Sequence, residues 1–324
     1  MAGAGAGDII ARLRSGEPLA LARAITAVEN ETEDAAGILR AIQPHLGYAR
    51  VHGFTGSPGV GKSTLVDAYI TELRKRDLSV GVIAVDPSSP VSGGAILGDR
   101  VRMTSHGVDP RVFVRSIAAR GHLGGLSATA AFVVDVLDAA GKDVVIVETV
   151  GTGQSEVEVA QVADTKVVVC APGAGDDVQA LKAGIIEIGD VLVVNKADLP
   201  DAEPTMKRLG AMLALRRRPN VPGGWTPEVL ATTATTGAGV AALADAIQRH
   251  DEYLGASGRK SGSGPRLRAL LAQTAGRLVA ERVGKLDPAA LDPLVDAVRR
   301  GELDIKSAAE RLLKDVQRRD TKGR

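Results

Sequence analysis

The sequence has little of the residue types that mark several protein classes. Among its 324 residues there is one cysteine, Cys170, so no internal disulfide can form and a reducing compartment is indicated. Aromatic residues make up only 2% of the chain, which argues against a surface of stacked rings for binding RNA. No run of 18 apolar residues occurs, and residues 1–7 lack the basic and apolar parts of a signal peptide. We therefore expect a cytoplasmic protein that does not span a membrane.

Charge and histidine content exclude two further classes. The formal net charge is +1, so the chain as a whole has no electrostatic attraction to nucleic acid or to a membrane surface. The five histidines are scattered along the sequence and have no cysteines near them. A protein that itself carries nickel or zinc would normally show clustered soft ligands. The apolar fraction of 44% is that of an ordinary globular protein.

Short runs of β-branched residues alternate with helical stretches through the middle of the chain. Several runs are apolar without alternation, as expected for parallel strands that are covered on both faces. This repetition predicts an α/β fold with a doubly wound, mostly parallel sheet. The predicted strands are residues 51–55, 80–85, 112–116, 144–148, 167–171, 191–195 and 229–232.

Helical patterns flank this region on both sides. Residues 1–46 are predicted to form an N-terminal helical extension, with one helix over 8–28 and another over 32–46. After the α/β domain of residues 47–255, a Gly/Ser-rich stretch begins a C-terminal helical extension, residues 256–324. Its predicted helices are 266–283, 288–300 and 305–318. Lys and Arg exceed Asp and Glu here, but they are spread around amphipathic helices, which favours a solvated face over a nucleic-acid patch.

A glycine-rich motif follows the first predicted strand and precedes a helical stretch. It fits the pattern G-x-x-x-x-G-K-[ST] and consists of Gly56, Ser57, Pro58, Gly59, Val60, Gly61, Lys62 and Ser63, followed by Thr64. The glycines let the backbone curl so that its N–H groups point at phosphates, and the helix N-terminus adds partial positive charge. Lys62 is predicted to reach the β- and γ-phosphates, and the Ser63 hydroxyl to ligate Mg²⁺.

A second motif, N-K-x-D, lies at the carboxyl end of the strand predicted over 191–195, where ligands bind in open α/β sheets. It consists of Asn195, Lys196 and Asp198. The Asp198 carboxylate can accept hydrogen bonds from N1–H and the amino group of guanine, whereas adenine would leave it unpaired. Asn195 is predicted to face the other edge of the base. A second guanine-contacting loop is predicted after the last strand, at Thr233, Ala234 and Thr235. The two motifs together predict a GTP-hydrolysing enzyme.

Three acidic residues are candidate magnesium ligands. Glu148 ends a hydrophobic strand, and the N–H of Gly151, three residues later, is predicted to sense the γ-phosphate. Asp86 ends another predicted strand, and Asp99 lies in a glycine-flanked segment. A helix cap or a surface ion pair is the alternative role for Asp99. The predicted metal ligands are Ser63, Asp86, Asp99 and Glu148, and the predicted catalytic residues are Lys62, Asp99 and Glu148.

Taken together, these motifs resemble those of one known family, the MeaB/MMAA (ArgK) G-proteins. The segments that carry the resemblance are residues 86–90, 94–103, 148–156 and 195–198. The resemblance covers nearly the whole chain, and Glu148 at a position where most GTPases have Asp is part of the family pattern. It implies a P-loop GTPase of the signal-recognition-particle-like class that binds GTP, GDP and Mg²⁺.

The resemblance also implies partners. Members of this family are metallochaperones of methylmalonyl-CoA mutase, in which GTP hydrolysis gates the loading of adenosylcobalamin and protects the enzyme. It implies that residues 171–182 signal to the mutase and that the C-terminal helices form a homodimer. Two alternatives stay open. A kinase of a transport system, an older name for this family, needs a phosphate acceptor that the sequence does not reveal, and a nickel-insertion-type GTPase predicts clustered His and Cys ligands.

Overall fold

The computed structural model describes residues 6–87, 106–119, 125–149, 162–173, 183–215, 224–256 and 263–322 of the chain. The chain divides into two compact units, Met1–Arg268 and Ala269–Arg324. The first unit contains the sheet and the N-terminal helices, and the second contains most of the C-terminal helical residues. None of the helices in the described ranges is long and apolar enough to cross a membrane.

Seven parallel strands form one sheet, which confirms the predicted fold class. Their order is β3-β2-β4-β1-β5-β6-β7, so β1 lies in the middle and every connection is a crossover. All seven predicted strands are found, with ends that differ by three residues or fewer, because a strand ends at its last hydrogen bond to a neighbour and the side-chain pattern does not mark that residue. The strands are β1 Arg50–Thr55, β2 Val80–Pro87, β3 Val112–Ala119, β4 Val144–Thr149, β5 Thr165–Cys170, β6 Val191–Val194 and β7 Glu228–Ala231.

Helices cover both faces of the sheet. On one face, α4 (Lys62–Lys75) and α8 (Val240–Ala256) pack against the central strands in one hydrophobic core cluster. On the other face, α6 (Ala183–Ile188) and α7 (Ala202–Leu215) pack on β5 and β6. This second cluster includes Cys170, where burial raises the pKa of the thiol to about 12 and makes it unreactive. Burial on both faces explains why residues 144–147 of β4 and all of β6 read as unbroken apolar runs.

The helix α5 (Gly125–Ala139) packs on β2, β3 and β4, and the second and third N-terminal helices pack on α5, while the first packs on those two. The prediction of one helix over 8–28 is wrong. The structure has two helices, α1 (Ala6–Arg14) and α2 (Pro18–Glu29), because Gly16 has a left-handed φ of 82° and Pro18 begins a new helix.

The second predicted N-terminal helix is shorter than expected, since α3 spans Ala35–Ile42 and a 3₁₀ turn, Gln43–His45, replaces its last turn. The following chain is fixed by Asp138 of α5. Its carboxylate accepts the backbone N–H groups of Gly47 at 2.6 Å, Tyr48 at 3.1 Å and Ala49 at 2.8 Å. The N-terminal extension is thereby tied to the sheet just before β1.

A buried polar network lies at the amino end of the sheet and consists of His52, Tyr69, Thr165, His250 and Asp251. Asp251 of α8 is 3.0 Å from Nε2 of His52 and accepts the Thr165 hydroxyl at 3.0 Å. The Tyr69 hydroxyl lies 3.1 Å from Nδ1 of His52, and the Thr165 hydroxyl lies 2.8 Å from Nδ1 of His250. The network thus links α4, β1, β5 and α8.

The C-terminal helices are α9 (Ser263–Gly284), α10 (Asp292–Arg299) and α11 (Ile305–Lys322), with a 3₁₀ turn at Pro288–Ala290 before α10. Each overlaps one of the three predicted helices. Many of their large apolar side chains in the second unit are exposed. They are Leu271, Leu278, Val279, Val295, Ile305 and Leu313.

Candidate functional site

The glycine-rich motif forms the connection between the central strand β1 and the helix α4. Gly56 begins the loop with a φ of 144°, and a Cβ atom there would lie 2.0 Å from the carbonyl oxygen of Val169 in β5. Only glycine fits this position, because the loop backbone passes directly over the neighbouring strand. Gly59 and Gly61 also have positive φ values, 77° and 90°, and Gly61 is the N-cap of α4. The loop is therefore curled above the end of β1, as a phosphate loop requires.

Lys62 is the first residue of α4 and is buried, with 6% of its surface exposed. Its ammonium donates hydrogen bonds to the backbone oxygens of Gly56 at 2.6 Å and Ser57 at 2.9 Å. The side chain therefore folds back along the loop and holds a positive charge above it. Of the remaining loop residues, Pro58 and Thr64 are exposed, whereas Val60 packs into the core cluster.

Ser63 and Glu148 meet beside the loop. The Ser63 hydroxyl donates to Oε1 of Glu148 at 2.6 Å, and Glu148 is fully buried near the end of β4. The residue lies next to the loop because β4 pairs with β1, with Glu148 opposite Phe54. A hydroxyl and a carboxylate are the oxygen ligands that Mg²⁺ prefers, so these two side chains fit the predicted metal site.

Other predicted magnesium and switch residues are less fully described. The backbone of Asp86 lies at the end of β2, whose Ala84 is opposite Glu148 in the sheet. Asp86 is therefore on a strand adjacent to the one that carries Glu148. Asp99 and Gly151 lie outside the described residues. Their roles stay predictions.

Asn195 follows β6 and braces three loops against one another. Its Nδ2 donates to the backbone oxygen of Val60 in the phosphate loop at 2.9 Å. Its Oδ1 accepts the Thr232 hydroxyl and the backbone N–H of Ala234, both at 3.1 Å. Asn195 is 2% exposed, so its amide is used to position the loops. The prediction that it also faces the base stays a prediction.

The other two residues of the N-K-x-D motif face outward. Lys196 has a left-handed φ of 58°, and its ammonium donates to the backbone oxygen of Gly59 at 2.8 Å. Asp198 is exposed, and its side chain has no hydrogen bond or ion pair to any residue within the described ranges. An exposed carboxylate in this loop has the chemistry to accept two donors from a guanine edge.

The loop after β7 contains the second predicted guanine contact. Thr233 forms an isolated antiparallel bridge with Ala238, and its N–H donates to the Ala238 oxygen at 2.9 Å. Ala234 is buried, and Thr235 is exposed. Thr232, predicted only as the last residue of a strand, orients Asn195 through its hydroxyl and accepts the N–H of Ala197 at 3.0 Å. Its position directly before the predicted loop was the available signal.

The structure therefore brings the phosphate loop, Glu148, the N-K-x-D motif and the loop after β7 to one edge of the sheet. Glu148 lies near the carboxyl end of β4, and the other segments follow the carboxyl ends of β1, β6 and β7. Residues separated by more than 130 positions in sequence are joined here by hydrogen bonds from Asn195 and Lys196 to the phosphate loop. Such an edge is where ligands bind in open α/β sheets.

Comparisons with known proteins agree with this arrangement. The family model described as Methylmalonyl Co-A mutase-associated GTPase MeaB matches residues 21–288. A putative GTPase of Pyrococcus abyssi is 45% identical over 311 residues, which cover 95% of this chain and 96% of the relative. GTPase ArgK of Escherichia coli is 42% identical over 260 residues, which cover 78% of each chain.

Two further comparisons extend the likeness. Methylmalonic aciduria type A homolog, mitochondrial, of Mus musculus is 36% identical over 210 residues, covering 64% of this chain and 50% of the relative. The solved structure of a protein named LAO/AO transport system kinase is 29% identical, with a TM-score of 0.73, and covers 96% of this chain and 97% of its own. The site geometry and the family match lead to one conclusion: this chain is a GTP-hydrolysing enzyme that belongs to the MeaB family of GTPases.

Proposed function

We propose that the chain is a Mg²⁺-dependent GTPase that serves as a G-protein chaperone of adenosylcobalamin-dependent methylmalonyl-CoA mutase. In this role GTP hydrolysis gates cofactor loading and protects the mutase. The observation that carries the proposal is the match, over residues 21–288, to a family described as mutase-associated. The mouse relative is named for methylmalonic aciduria, which supports the same partner.

The choice of GTP over ATP rests on Asp198. Its exposed carboxylate can pair with the N1–H and amino donors of guanine, whereas the N1 acceptor of adenine would leave it unpaired. Calorimetry should give far tighter binding of GTP and GDP than of ATP. Asp198→Asn should weaken guanine binding and favour xanthine nucleotides, while Asp201→Asn, an exposed carboxylate three residues later, should bind GTP as the wild type does. Equal affinities for GTP and ATP would contradict this assignment.

The chain's own residues account for binding and orientation in the reaction. The curled loop presents backbone N–H groups to the phosphates, and Lys62 is fixed by Gly56 and Ser57 with its charge above the loop. Ser63 and Glu148 would hold Mg²⁺, which, when bound, neutralises charge on the β- and γ-phosphate oxygens. Chelation of Mg²⁺ should therefore abolish turnover, whereas unchanged turnover in excess chelator would remove the metal from the proposal.

Coupling to the mutase is proposed to pass through residues 171–182. The described part, residues 171–173, continues directly from the core strand β5, and Gly173 has a φ of 81°. The base of the segment is thus anchored beside the phosphate loop, since Gly56 packs against Val169 of the same strand. A segment with two arrangements can link the two sites, because a partner that prefers one nucleotide state shifts the other equilibrium reciprocally.

The test adds the mutase encoded in the same cell and measures GTP turnover. The mutase should raise turnover well above the basal rate, and Lys182→Ala or Asp177→Ala should blunt this rise while GTP affinity is retained. Lys207→Ala, an exposed lysine on α7, is the matched control and should respond as wild type. A rate that is indifferent to mutase refutes the partner but leaves the GTPase assignment intact. Radioactive γ-phosphate transferred to an acceptor protein would instead favour a kinase.

The C-terminal helices are proposed to form a homodimer. In the second unit, Leu271 is 63% exposed and Ile305 is 77% exposed. Exposed apolar side chains of this kind favour association with a second copy, because a unit of three helices buries little surface alone. Light scattering should give twice the mass of one chain for the wild type and a lower mass for Ile305→Asp. Leu215→Asp, at an exposed position in the first unit, should leave the mass unchanged.

A further inference from the structure

A cavity of about 240 Å³ lies in the first unit, between the N-terminal helices and the edge strand β3. On the helix side it is lined by Leu13, Pro18 and Leu21, and on the sheet side by Val112, Phe113 and Lys142. Leu13 and Leu21 are themselves buried, so the apolar wall is built into the packing of α1 and α2. The lining includes the first two residues of β3 and the turn before β4, which places the cavity away from the carboxyl edge that binds nucleotide.

Two charged residues line this cavity: Asp109, whose carboxylate is engaged by Arg74, and Lys142. Its ammonium donates one hydrogen bond, to the backbone oxygen of Arg111 at 3.1 Å. Within the described ranges, no carboxylate lies within 4.0 Å of its Nζ atom. An ammonium has three N–H donors, so this cation is only partly satisfied by the residues around it.

The two nearest acids are engaged by other groups. Asp109 accepts from Nε of Arg74 at 2.8 Å and from the backbone N–H of Arg111 at 2.9 Å. Asp143 accepts from the backbone N–H of Ser79 at 2.7 Å and from its hydroxyl at 2.6 Å. Neither carboxylate is therefore available to move onto Lys142 without breaking its own contacts.

The electrostatic environment of Lys142 favours an added anion. Burial lowers the pKa of Lys142, the guanidinium groups of Arg111 and Arg74 lower it further, and the charges of Asp109 and Asp143 act in the opposite direction. A positive charge that is disfavoured by desolvation and by like charges is stabilised by a carboxylate placed against it. The cavity provides space for such a group next to an apolar wall.

We propose that this cavity binds a small carboxylate with a short apolar chain, its carboxylate against Lys142 and its chain against Leu13, Leu21 and Phe113. The volume corresponds to roughly eight water molecules in the liquid, so the cavity has room for a ligand of about eight non-hydrogen atoms. Hexanoate has this size and charge and is the probe for the site. The binding site is independent of the mutase partnership, because no residue of the nucleotide edge lines it.

Hexanoate binding to the full chain is measured by ligand-detected nuclear magnetic resonance and by titration of backbone amide signals. We expect saturable binding with a Kd of about 1 mM or tighter, with shifts at Leu13, Leu21 and Phe113. Lys142→Met should weaken binding about tenfold or more, because a charge-assisted hydrogen bond is lost. Lys75→Met, which removes an exposed lysine of α4, should bind as the wild type does.

Two ligands of the same length make the test independent of any folding defect in Lys142→Met. On the wild-type chain, 1-hexanol and hexylamine should bind at least about tenfold more weakly than hexanoate, because neither supplies an anion to Lys142. Equal binding of hexylamine, or undiminished hexanoate binding by a folded Lys142→Met, overturns the proposal. No saturable binding by about 10 mM hexanoate also overturns it.

Discussion

The two ends of the same sheet use buried polar residues in different ways. At the carboxyl end, Lys62, Asn195 and Lys196 bind the backbone of neighbouring loops, and Asp198 is left exposed. At the amino end, the buried polar residues bond mainly to one another, with the half-exposed Arg50 3.6 Å from Asp251; His52 and Asp251 are only 2% and 6% exposed. Both ends are rich in polar contacts, but among the described residues the carboxyl end leaves the Asp198 carboxylate facing solvent, where a base could bind.

This difference shows why burial of polar residues does not by itself identify a site. A buried polar group must be hydrogen-bonded, and the amino-end network satisfies this need within the protein. At the nucleotide edge the polar side chains form hydrogen bonds with the backbone of neighbouring loops, and these hydrogen bonds hold the loops in place around the nucleotide site. The amino-end network should therefore control stability, and the hydrogen bonds at the nucleotide edge should control nucleotide binding and turnover.

The largest expected effect is the loss of stability on breaking the amino-end network. Asp251→Ala leaves His52 and Thr165 without their shared acceptor and should lower the free energy of unfolding by about 3–5 kcal/mol. Urea unfolding measures this loss. Asp245→Ala on the same helix is the control and should cost less than about 1 kcal/mol, because the Asp245 carboxylate is exposed. GTP affinity of the folded Asp251→Ala protein should match the wild type. A large loss of GTP affinity would contradict the proposal that the amino end controls stability and the carboxyl end controls nucleotide binding.

The next effect concerns turnover at the nucleotide edge. Lys62→Ala removes the cation held above the phosphate loop and should lower GTP hydrolysis by about 10²–10³-fold, or about 2.7–4 kcal/mol. Single-turnover kinetics measure the loss. Lys75→Ala, which removes an exposed lysine from the same helix, should hydrolyse GTP at the wild-type rate. Full activity in Lys62→Ala would show that the loop is not the catalytic site.

A smaller effect separates two glycines of the phosphate loop. Gly56→Ala places a Cβ atom 2.0 Å from the Val169 oxygen, whereas a Cβ atom at Gly59 has no described atom within 4 Å. Both positions have a positive φ, and the 144° at Gly56 is less accessible to alanine than the 77° at Gly59, so the difference between them combines backbone strain with the steric clash. Gly56→Ala should be less stable than Gly59→Ala by about 1–3 kcal/mol in urea unfolding. Equal stabilities would mean that the loop can shift away from β5.

The smallest effect is a dependence of stability on pH that arises at the amino end. Burial lowers the pKa of His250, outweighing the nearby carboxylates of Asp190 and Asp251. The unfolded chain therefore binds a proton at His250 before the folded chain does, and stability falls as the pH drops below the ordinary value of 6.5. Burial acts to raise the pKa of Asp251, but His52, Thr165 and Arg50 bring it below its ordinary value of 3.8.

Asp251 changes stability in the same direction, because the carboxylate of the unfolded chain is protonated before that of the folded chain. A further loss of stability therefore follows as the pH falls below 3.8. Urea unfolding at a series of pH values measures both steps. His250→Gln should remove the loss of stability below pH 6.5 that the wild type shows, and it should leave the loss below pH 3.8. A wild-type stability that is level between pH 7 and pH 5 would contradict the role given to His250.

Much of the fold could be predicted because its signals are local. Each strand is a short β-branched run, and the phosphate loop and the N-K-x-D motif are continuous in sequence. The errors were at positions where one residue overrides a periodic pattern. Gly16 and Pro18 divide the predicted first helix, although the apolar spacing continues through them.

The sequence by itself determined the strands and the phosphate loop, and it predicted the residues that distinguish guanine from adenine, since these depend on local patterns and side-chain chemistry. Only the tertiary structure decided that Asn195 braces Val60, Thr232 and Ala234, that His52 meets Asp251, and that Lys142 lines a cavity. Each of these contacts depends on which strands are neighbours in the sheet. Strand order arises from the packing of the whole chain, and no local periodicity records it.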